Sequence, residues 1–443
     1  MRYFLTLCIA FHFFQGFSQA DSTKLKFDLS LRYRYEAWNG MNAKNYGDDS
    51  YTAIGEINDN LLYQRVIAGF IAEFSEKLTL AAHLQDSRAF GWSLRNSRYP
   101  DLFNIKAPET SSPYYRMNPQ EEYFEIYDCF AEYRNILPNL TLKAGRQKIF
   151  YGDYHMLGPG DWGNTGRWTW DAVKISYKKD ENFVELFAGG TKIHDPGKLS
   201  VPFMQTEFWG GGLYAHLGIS SFLKAEPFYV FKAAGSADYM NTLKINRHWA
   251  GFRVFNNDFH SFIFDGLLVK EFGNENGKRI SSYGFFLKAG YQFHTIPLKP
   301  LLSIRESYAS GGKKSDAKIH TYDPAFGAGD KFYGWMNITT WSNLDDREIV
   351  LELFPIKNIW IEIKCNRFYI PVPDDVVLLS TMKLTAGQHH LGDEFDIFIR
   401  YQANKKWQFT GAFGYFIIGD VEPINGLEPK DTKWFALQVL FVL

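Results

Sequence analysis

Along most of the chain, polar and apolar residues alternate one for one in stretches of about ten, the period of an extended strand with two unlike faces. From Leu29 to Ala37, Leu29, Leu31, Tyr33 and Tyr35 share one face, and Ser30, Arg32, Arg34 and Glu36 share the other. Such a strand needs apolar surroundings on one side and polar space on the other. Tyr283, Phe285, Leu287, Ala289, Tyr291 and Phe293 alternate in the same way with Ser282, Gly284, Lys288 and Gln292. So do Ile359, Ile361 and Ile363 with Glu362, Lys364 and Asn366, and Phe395, Ile397, Ile399 and Tyr401 with Glu394, Asp396, Arg400 and Gln402. A helical period fits none of them. Comparable segments lie near 61–74, 77–86, 124–134, 140–149, 170–179, 182–191, 207–217, 221–232, 246–256, 259–270, 299–309, 346–354, 406–416 and 433–443. Together they predict about 18 strands, an even number as in bacterial single-chain barrels.

The connections sharpen this. Short turns at 135–139 and 179–182 contrast with long stretches at 39–60, 87–122, 150–168, 310–334 and 370–391, rich in Gly, Pro, Asp and Ser. The pattern predicts an all-β fold, a transmembrane antiparallel β-barrel of about 18 strands with long extracellular loops and short periplasmic turns. The last segment carries Phe435, Leu437, Val439, Phe441 and Leu443 on one face, as a strand pairing with the first to close the barrel would. A secreted β-sandwich also has many alternating strands, with its apolar face turned inward. The large apolar side chains favour the barrel, as do Trp38, Trp92, Trp162, Trp168, Trp170, Trp341 and Trp434 near segment ends, where an interfacial girdle is expected.

Composition removes other classes. Aromatic residues make up 18% of the 443, with 37 Gly, a balance that suits strands and turns. After the first twenty positions no apolar run is long enough for a membrane helix. Lys+Arg 48 against Asp+Glu 49, with no basic stripe, gives no reason to expect nucleic acid. Residues 1–20 read as a signal peptide, with Arg2, an apolar run from Tyr3 to Phe14 and a small-residue cleavage site at Ser18-Gln19-Ala20. Residues 21–443 are then expected to form a single barrel domain. Cys129 and Cys365 each fall within a strand pattern and are expected to be buried thiols.

The stretch Leu142-Lys143-Ala144-Gly145-Arg146-Gln147-Lys148-Ile149-Phe150-Tyr151-Gly152-Asp153 is followed by Asp161-Trp162-Gly163-Asn164-Thr165-Gly166-Arg167 and by Trp170-Asp171-Ala172-Val173-Lys174. With His390-Leu391-Gly392-Asp393-Glu394-Phe395-Asp396 and the aromatic, glycine-rich 411–419, it resembles the alginate export family of outer-membrane β-barrels. Phe413, Ile418, Asp330 and Asn337 depart from that family's usual residues. The resemblance implies an 18-stranded barrel whose charged, loop-constricted lumen passes an anionic polysaccharide.

The alternation independently gives lumen candidates. Arg32, Arg34, Arg253, Arg305 and Arg400 fall on polar faces, Arg146 and Arg167 flank the 150–168 loop, and Glu394 and Asp396 are acidic partners. A guanidinium fork binds carboxylates bidentately and stays charged at any relevant pH. The same residues would serve equally as a ladder of cross-lumen ion pairs. Catalytic signatures are lacking. Ser176-x-x-Lys179 falls inside a strand, and His389-His390 and the pairs Asp48-Asp49, Asp345-Asp346 and Asp374-Asp375 read as polar loop residues. No catalytic residue, metal or cofactor is therefore expected. The expectation is a passive outer-membrane channel for export or diffusion of an anionic polysaccharide or oligosaccharide, or of small solutes, surrounded by outer-membrane lipid, with the involvement of periplasmic export partners left open by the sequence. Its rivals are a general or sugar-selective porin, a membrane-embedded barrel enzyme and a secreted β-sandwich carbohydrate-binding protein.

Overall fold

The computed structural model describes residues 23–40, 58–91, 120–195, 198–237, 240, 243–256, 258–329, 332–375, 377, 380, 382–423 and 428–443. The leader reading, Trp92, Asp330 and Asp48-Asp49 lie outside them.

In chain order the strands are β1 (Lys24–Asn39), β2 (Asn58–Glu73), β3 (Leu78–Phe90), β4 (Glu122–Tyr133), β5 (Leu140–Lys148), β6 (Thr169–Lys179) and β7 (Asn182–Thr191). They continue as β8 (Phe208–Gly218), β9 (Leu223–Ala234), β10 (Ile245–Asn256), β11 (Phe262–Glu275), β12 (Lys278–Gln292), β13 (Leu301–Ala309) and β14 (Lys318–Ile319). The remainder are β15 (Leu344–Leu353), β16 (Ile359–Tyr369), β17 (Lys383–Leu384), β18 (His390–Gln402), β19 (Trp407–Ile418), β20 (Val421–Glu422) and β21 (Thr432–Val442). β14, β17 and β20 are two-residue pieces within loops. The other 18 pair antiparallel in sequence, and β21 closes the barrel against β1 from Ser30↔Val442 to Asn39↔Lys433. One end carries the short turns 74–77, 134–139, 180–181, 219–222, 258–261, 293–300, 354–358 and 403–406. The other end carries the long connections, with one exception. At 276–277, Asn276 (φ 48) and Gly277 (φ 84) both take positive φ, the two-residue turn that an Asn-Gly pair favours, and β11 and β12 run up to meet it.

The burial pattern is inverted relative to a soluble sandwich. Phe27, Leu186, Ile304, Ile349 and Leu437 are exposed, whereas Arg32, Arg34, Glu36, Glu226, Lys364 and Asp396 are buried. Apolar side chains face outward and charged ones inward, as a lipid-embedded barrel requires and a secreted sandwich does not. Cys129 and Cys365 are both exposed on the outward face, so the expectation of buried thiols is corrected. Tryptophan corrects a second expectation. Trp38, Trp168, Trp170, Trp341 and Trp434 are buried inside the barrel, and the outward aromatics are mainly Tyr and Phe, such as Tyr33, Tyr177, Tyr229 and Phe252. An indole N–H seeks an acceptor, and the interior supplies one to four of the five, the Trp170 N–H being left without a partner among the described residues. Trp38 and Trp434 both donate to Glu36 Oε2 at 3.1 Å, Trp168 to the Gly327 carbonyl at 3.2 Å and Trp341 to that of Tyr308 at 2.9 Å.

Arg146 corrects a third. It lies opposite Cys129 on β4 and Asp171 on β6, and Asp171 alternates in step with the exposed Val173, Ile175 and Tyr177. That places Arg146 on the outer wall rather than in the lumen. Residues 198–204, between β7 and β8, fold over it. Arg146 forks onto Asp171 at 2.7 and 2.9 Å, and its Nη1 donates to Glu125 at 2.9 Å and to the Ser200 carbonyl at 2.7 Å. In return the Ser200 amide donates to Glu125 at 2.9 Å and the Phe203 amide to Asp171 at 3.0 Å. The covering strap turns Leu199, Val201, Phe203 and Met204 outward, restoring an apolar surface above the buried charges. Arg146→Ala leaves two buried carboxylates uncompensated, and is expected to cost about 3–5 kcal/mol, read from urea unfolding in detergent, while ion selectivity stays unchanged.

Candidate functional site

Two loops of the long-connection end fold into the barrel and pair with each other. The Gly158 amide donates to the Phe326 carbonyl at 3.0 Å, Phe326 to Met156 at 3.2 Å and Ala328 to Tyr154 at 3.0 Å. Segments 149–168, 320–329 and 332–343 thus form one internal plug. Their aromatic side chains pack together and against the wall, with Trp168 against Phe326 at 5.1 Å, Trp162 against Trp335 at 5.5 Å and Trp335 stacked on Phe398 at 4.1 Å.

Inward charges fasten the first loop. Arg32 donates to the carbonyls of Asp161 and Gly163, both at 2.8 Å, and to the Asn164 side chain at 3.1 Å. Arg34 donates to the Trp162 carbonyl, lies over the indole at 4.4 Å and pairs with Glu36 at 2.7 Å. The Asn164 amide reaches the carbonyls of Gln64 at 3.0 Å and Gln120 at 2.9 Å. Arg167 is half-buried against Trp168, 4.7 Å from the ring centroid, and its carbonyl meets His194 at 3.0 Å. It belongs to the loop's own framework.

Acids fasten the second loop. Glu394 accepts the Met336 amide at 2.9 Å and Asp396 that of Trp335 at 3.1 Å, while the Trp335 indole donates to Glu362 at 2.9 Å. Gly334 makes this turn at φ +76, which L side chains rarely adopt, and an added Cβ would sit 2.3 Å from Glu394 Oε1 and displace that carboxylate from the Met336 amide. Farther along, Lys232 pairs with Asp323 at 3.1 Å. Partial burial pushes the Asp323 carboxyl up, but Lys232 and then Arg247 outweigh it and hold the group below the ordinary carboxylate range.

Two of the expected arginines lie in inward ion-pair networks. Arg253 reaches Asp265 at 2.5 Å and Glu226 at 2.9 Å, with Asp153 of the first loop at 3.7 Å. Burial alone would raise the Asp153 carboxyl, but His155 and then Arg253 hold it far below its ordinary value. Arg305 reaches Glu352 at 2.9 Å, with Glu348 and Glu362 both at 3.9 Å. In both networks the guanidinium is occupied by the protein's own acids.

Beside the plug a cavity of about 480 Å³ remains, against the wall formed by β18, β19, β21, β1 and β2. Arg32, Arg65 and Arg400 line it together with the acid Asp161, with Tyr127, Trp162 and Trp335 among its aromatic walls and Gln408 and Gln438 among its neutral polar ones. Arg65 lies directly opposite Arg32 in the β1–β2 ladder. Arg400 lies opposite Thr410, which in turn lies opposite Gln438, and it is exposed, with its guanidinium 5.1 Å from the Trp360 ring. Among the described residues, neither Arg65 nor Arg400 has an acidic partner within 4 Å. Like charges directly opposite are unfavourable, and three arginines against Asp161 leave a positive field in the open space.

Of the expected residues, Arg32 and Arg400 thus meet in one cavity. Arg34, Arg167, Glu394 and Asp396 hold loops, Arg253 and Arg305 sit in ion networks, and Arg146 lies outside. Arg65 was missed. It is the one charged residue between Leu61 and Ala72, and setting that segment antiparallel to 29–37 brings it to Arg32.

The geometry agrees with what is known of other chains. The family model described as "Alginate export" matches residues 23–422. This chain belongs to the alginate export family. Among solved structures, OccAB3 of Acinetobacter baumannii aligns with a TM-score of 0.60 at 10% identity, covering 95% of this chain and 99% of that one. OccK3 (OpdO) of Pseudomonas aeruginosa aligns at 0.59 and 9% identity over 97% and 98%. The outer membrane protein opdK of the same organism aligns at 0.58 and 10% identity over 95% and 98%. At such identities the likeness is one of fold. No curated protein matches in sequence. This alginate export family member is an outer-membrane β-barrel channel of the bacterial envelope.

Proposed function

We propose that the chain is a passive, anion-preferring channel whose cargo is an acidic oligosaccharide or polysaccharide, and that it carries out no chemical step on that cargo. The observation that carries this reading is the cavity formed by Arg32, Arg65 and Arg400 beside Tyr127, Trp162 and Trp335. Guanidinium forks suit carboxylates, and aromatic faces suit sugar rings. The acids of the opposite wall are already engaged, Glu352 by Arg305 and Lys288, and Glu362 by Trp335. Asp161 lines the cavity too, so three arginines against one carboxylate leave a net positive lining where it is open. In this reading the domain runs from 21 to 443 once residues 1–20 are removed.

The test is block of single-channel current by two oligosaccharides of equal length, one uronic and one neutral. The uronic one is expected to block at concentrations roughly tenfold lower, the effect of about 1.4 kcal/mol of charge interaction. Equal block by both would favour the sugar-selective porin.

A further inference from the structure

On the outer wall, β12, β13, β15, β16, β18 and β19 enclose a trough of about 940 Å³, within the range of small-molecule sites. Its floor is apolar, with Ala289 and Cys365 leaving room between Ile304, Ile349 and Phe395. Toward the long-loop end the floor gives way to a row of charges across four strands. Glu306 lies opposite Arg347, Arg347 opposite Arg367, and Arg367 opposite Asp393.

Charge on a lipid-facing wall is costly at the bilayer midplane and tolerated only near the interface. Two arginines directly opposite each other add repulsion. Each is partly satisfied by an acid, Arg347 by Asp345 at 2.8 Å and Arg367 by Asp393 at 2.7 Å. Both pairs run through Nε and Nη2, leaving the Nη1 edges outside them. The side chains remain 60% and 57% exposed. Arg347 is further steadied over the Tyr369 ring at 4.9 Å. A facing pair of open guanidinium groups above an apolar trough matches one amphipathic shape, a phosphate joined to acyl chains.

We propose that this trough binds a phosphorylated acyl lipid of the outer leaflet, with its phosphate between Arg347 and Arg367 and an acyl chain along Ile304, Ile349 and Phe395. The phosphate offsets the repulsion between the arginines and accepts from their Nη1 groups, which the two carboxylates leave open. The chain covers the apolar floor.

Native mass spectrometry of the full protein in detergent tests this, with phosphatidylglycerol as the probe and diacylglycerol of the same chains as the neutral control. Phosphatidylglycerol is expected to be retained and diacylglycerol not. Arg347→Gln with Arg367→Gln is expected to lower occupancy about tenfold, the effect of losing a charge-assisted bond or two. Arg88→Gln, which alters an outward arginine paired with Asp86 but facing Gln64, is expected to change nothing. Ala289→Phe fills the floor with both arginines in place and is expected to lower occupancy as well. Equal retention in the arginine double variant, retention of diacylglycerol, or displacement of phosphatidylglycerol by inorganic phosphate alone would each overturn the proposal. Should the double variant not fold, unchanged occupancy in Ala289→Phe overturns it.

Discussion

Exchanging Arg65 and Arg400 together for glutamate is expected to turn the channel from anion-preferring to cation-preferring. At about 6 Å in a water-filled passage, one unit charge is worth about 0.7 kcal/mol to a passing ion. Reversing its sign therefore changes the ion's energy by about 1.4 kcal/mol, roughly tenfold in relative permeability. Two such positions act in the same direction. Neither arginine has an acidic partner within 4 Å among the described residues, and Asp161, the carboxylate that shares their cavity, keeps Arg32 beside it. The barrel should still assemble and show heat-modifiable mobility on gels. Reversal potentials in planar bilayers under a salt gradient read the change. Arg305→Glu is a poor substitute, because it would set another acid against Glu352, Glu348 and Glu362.

Replacing residues 155–165 by a six-residue Gly-Ser linker, which can reach about 20 Å, is expected to raise conductance roughly three- to fivefold. An 18-stranded barrel is wide enough for an aqueous channel when its lumen is clear. Here the lumen is filled by two mutually paired loops. Deletion removes the Gly158–Phe326 bond, the Trp162 contacts with Trp335 and Phe398, and the carbonyls that Arg32 and Arg34 hold. The second loop keeps its own anchors at Glu394 and Asp396. A single-channel recording at fixed salt checks the expectation, and unchanged conductance would mean that the plug does not limit flow.

The strands were legible because the outer face of a barrel must be apolar at every second residue, whatever the loops do. All 18 long strands correspond to alternating segments such as 29–37 and 395–402, and closure was legible in the alternation of the last segment. What alternation does not reveal is which loop turns inward. The tryptophans near segment ends were read as a girdle, yet their N–H groups found acceptors such as Glu36 inside, a tertiary choice that local spacing does not encode. Arg146 shows the opposite case. Counting by twos from inward Lys143 places it on the outer stripe, and the strap from 198 to 204 that makes a charge tolerable there is remote in sequence. The cavity needed pairing register as well, since Arg32, Arg65 and Arg400 meet only because β21 closes on β1 with β2 and β19 beside them. The Asn276-Gly277 turn went unremarked in the sequence, although an Asn-Gly pair is itself a signal for a two-residue turn.

The measurement that bears most directly on the arginine-lined passage is the reversal potential of the unaltered protein in a planar bilayer under a potassium chloride gradient. If ions pass between Arg32, Arg65 and Arg400, the potential takes the sign of chloride preference despite a slightly negative whole chain, and it weakens as salt rises and screens the arginines. A potential of the opposite sign, or none at low salt, would contradict the account.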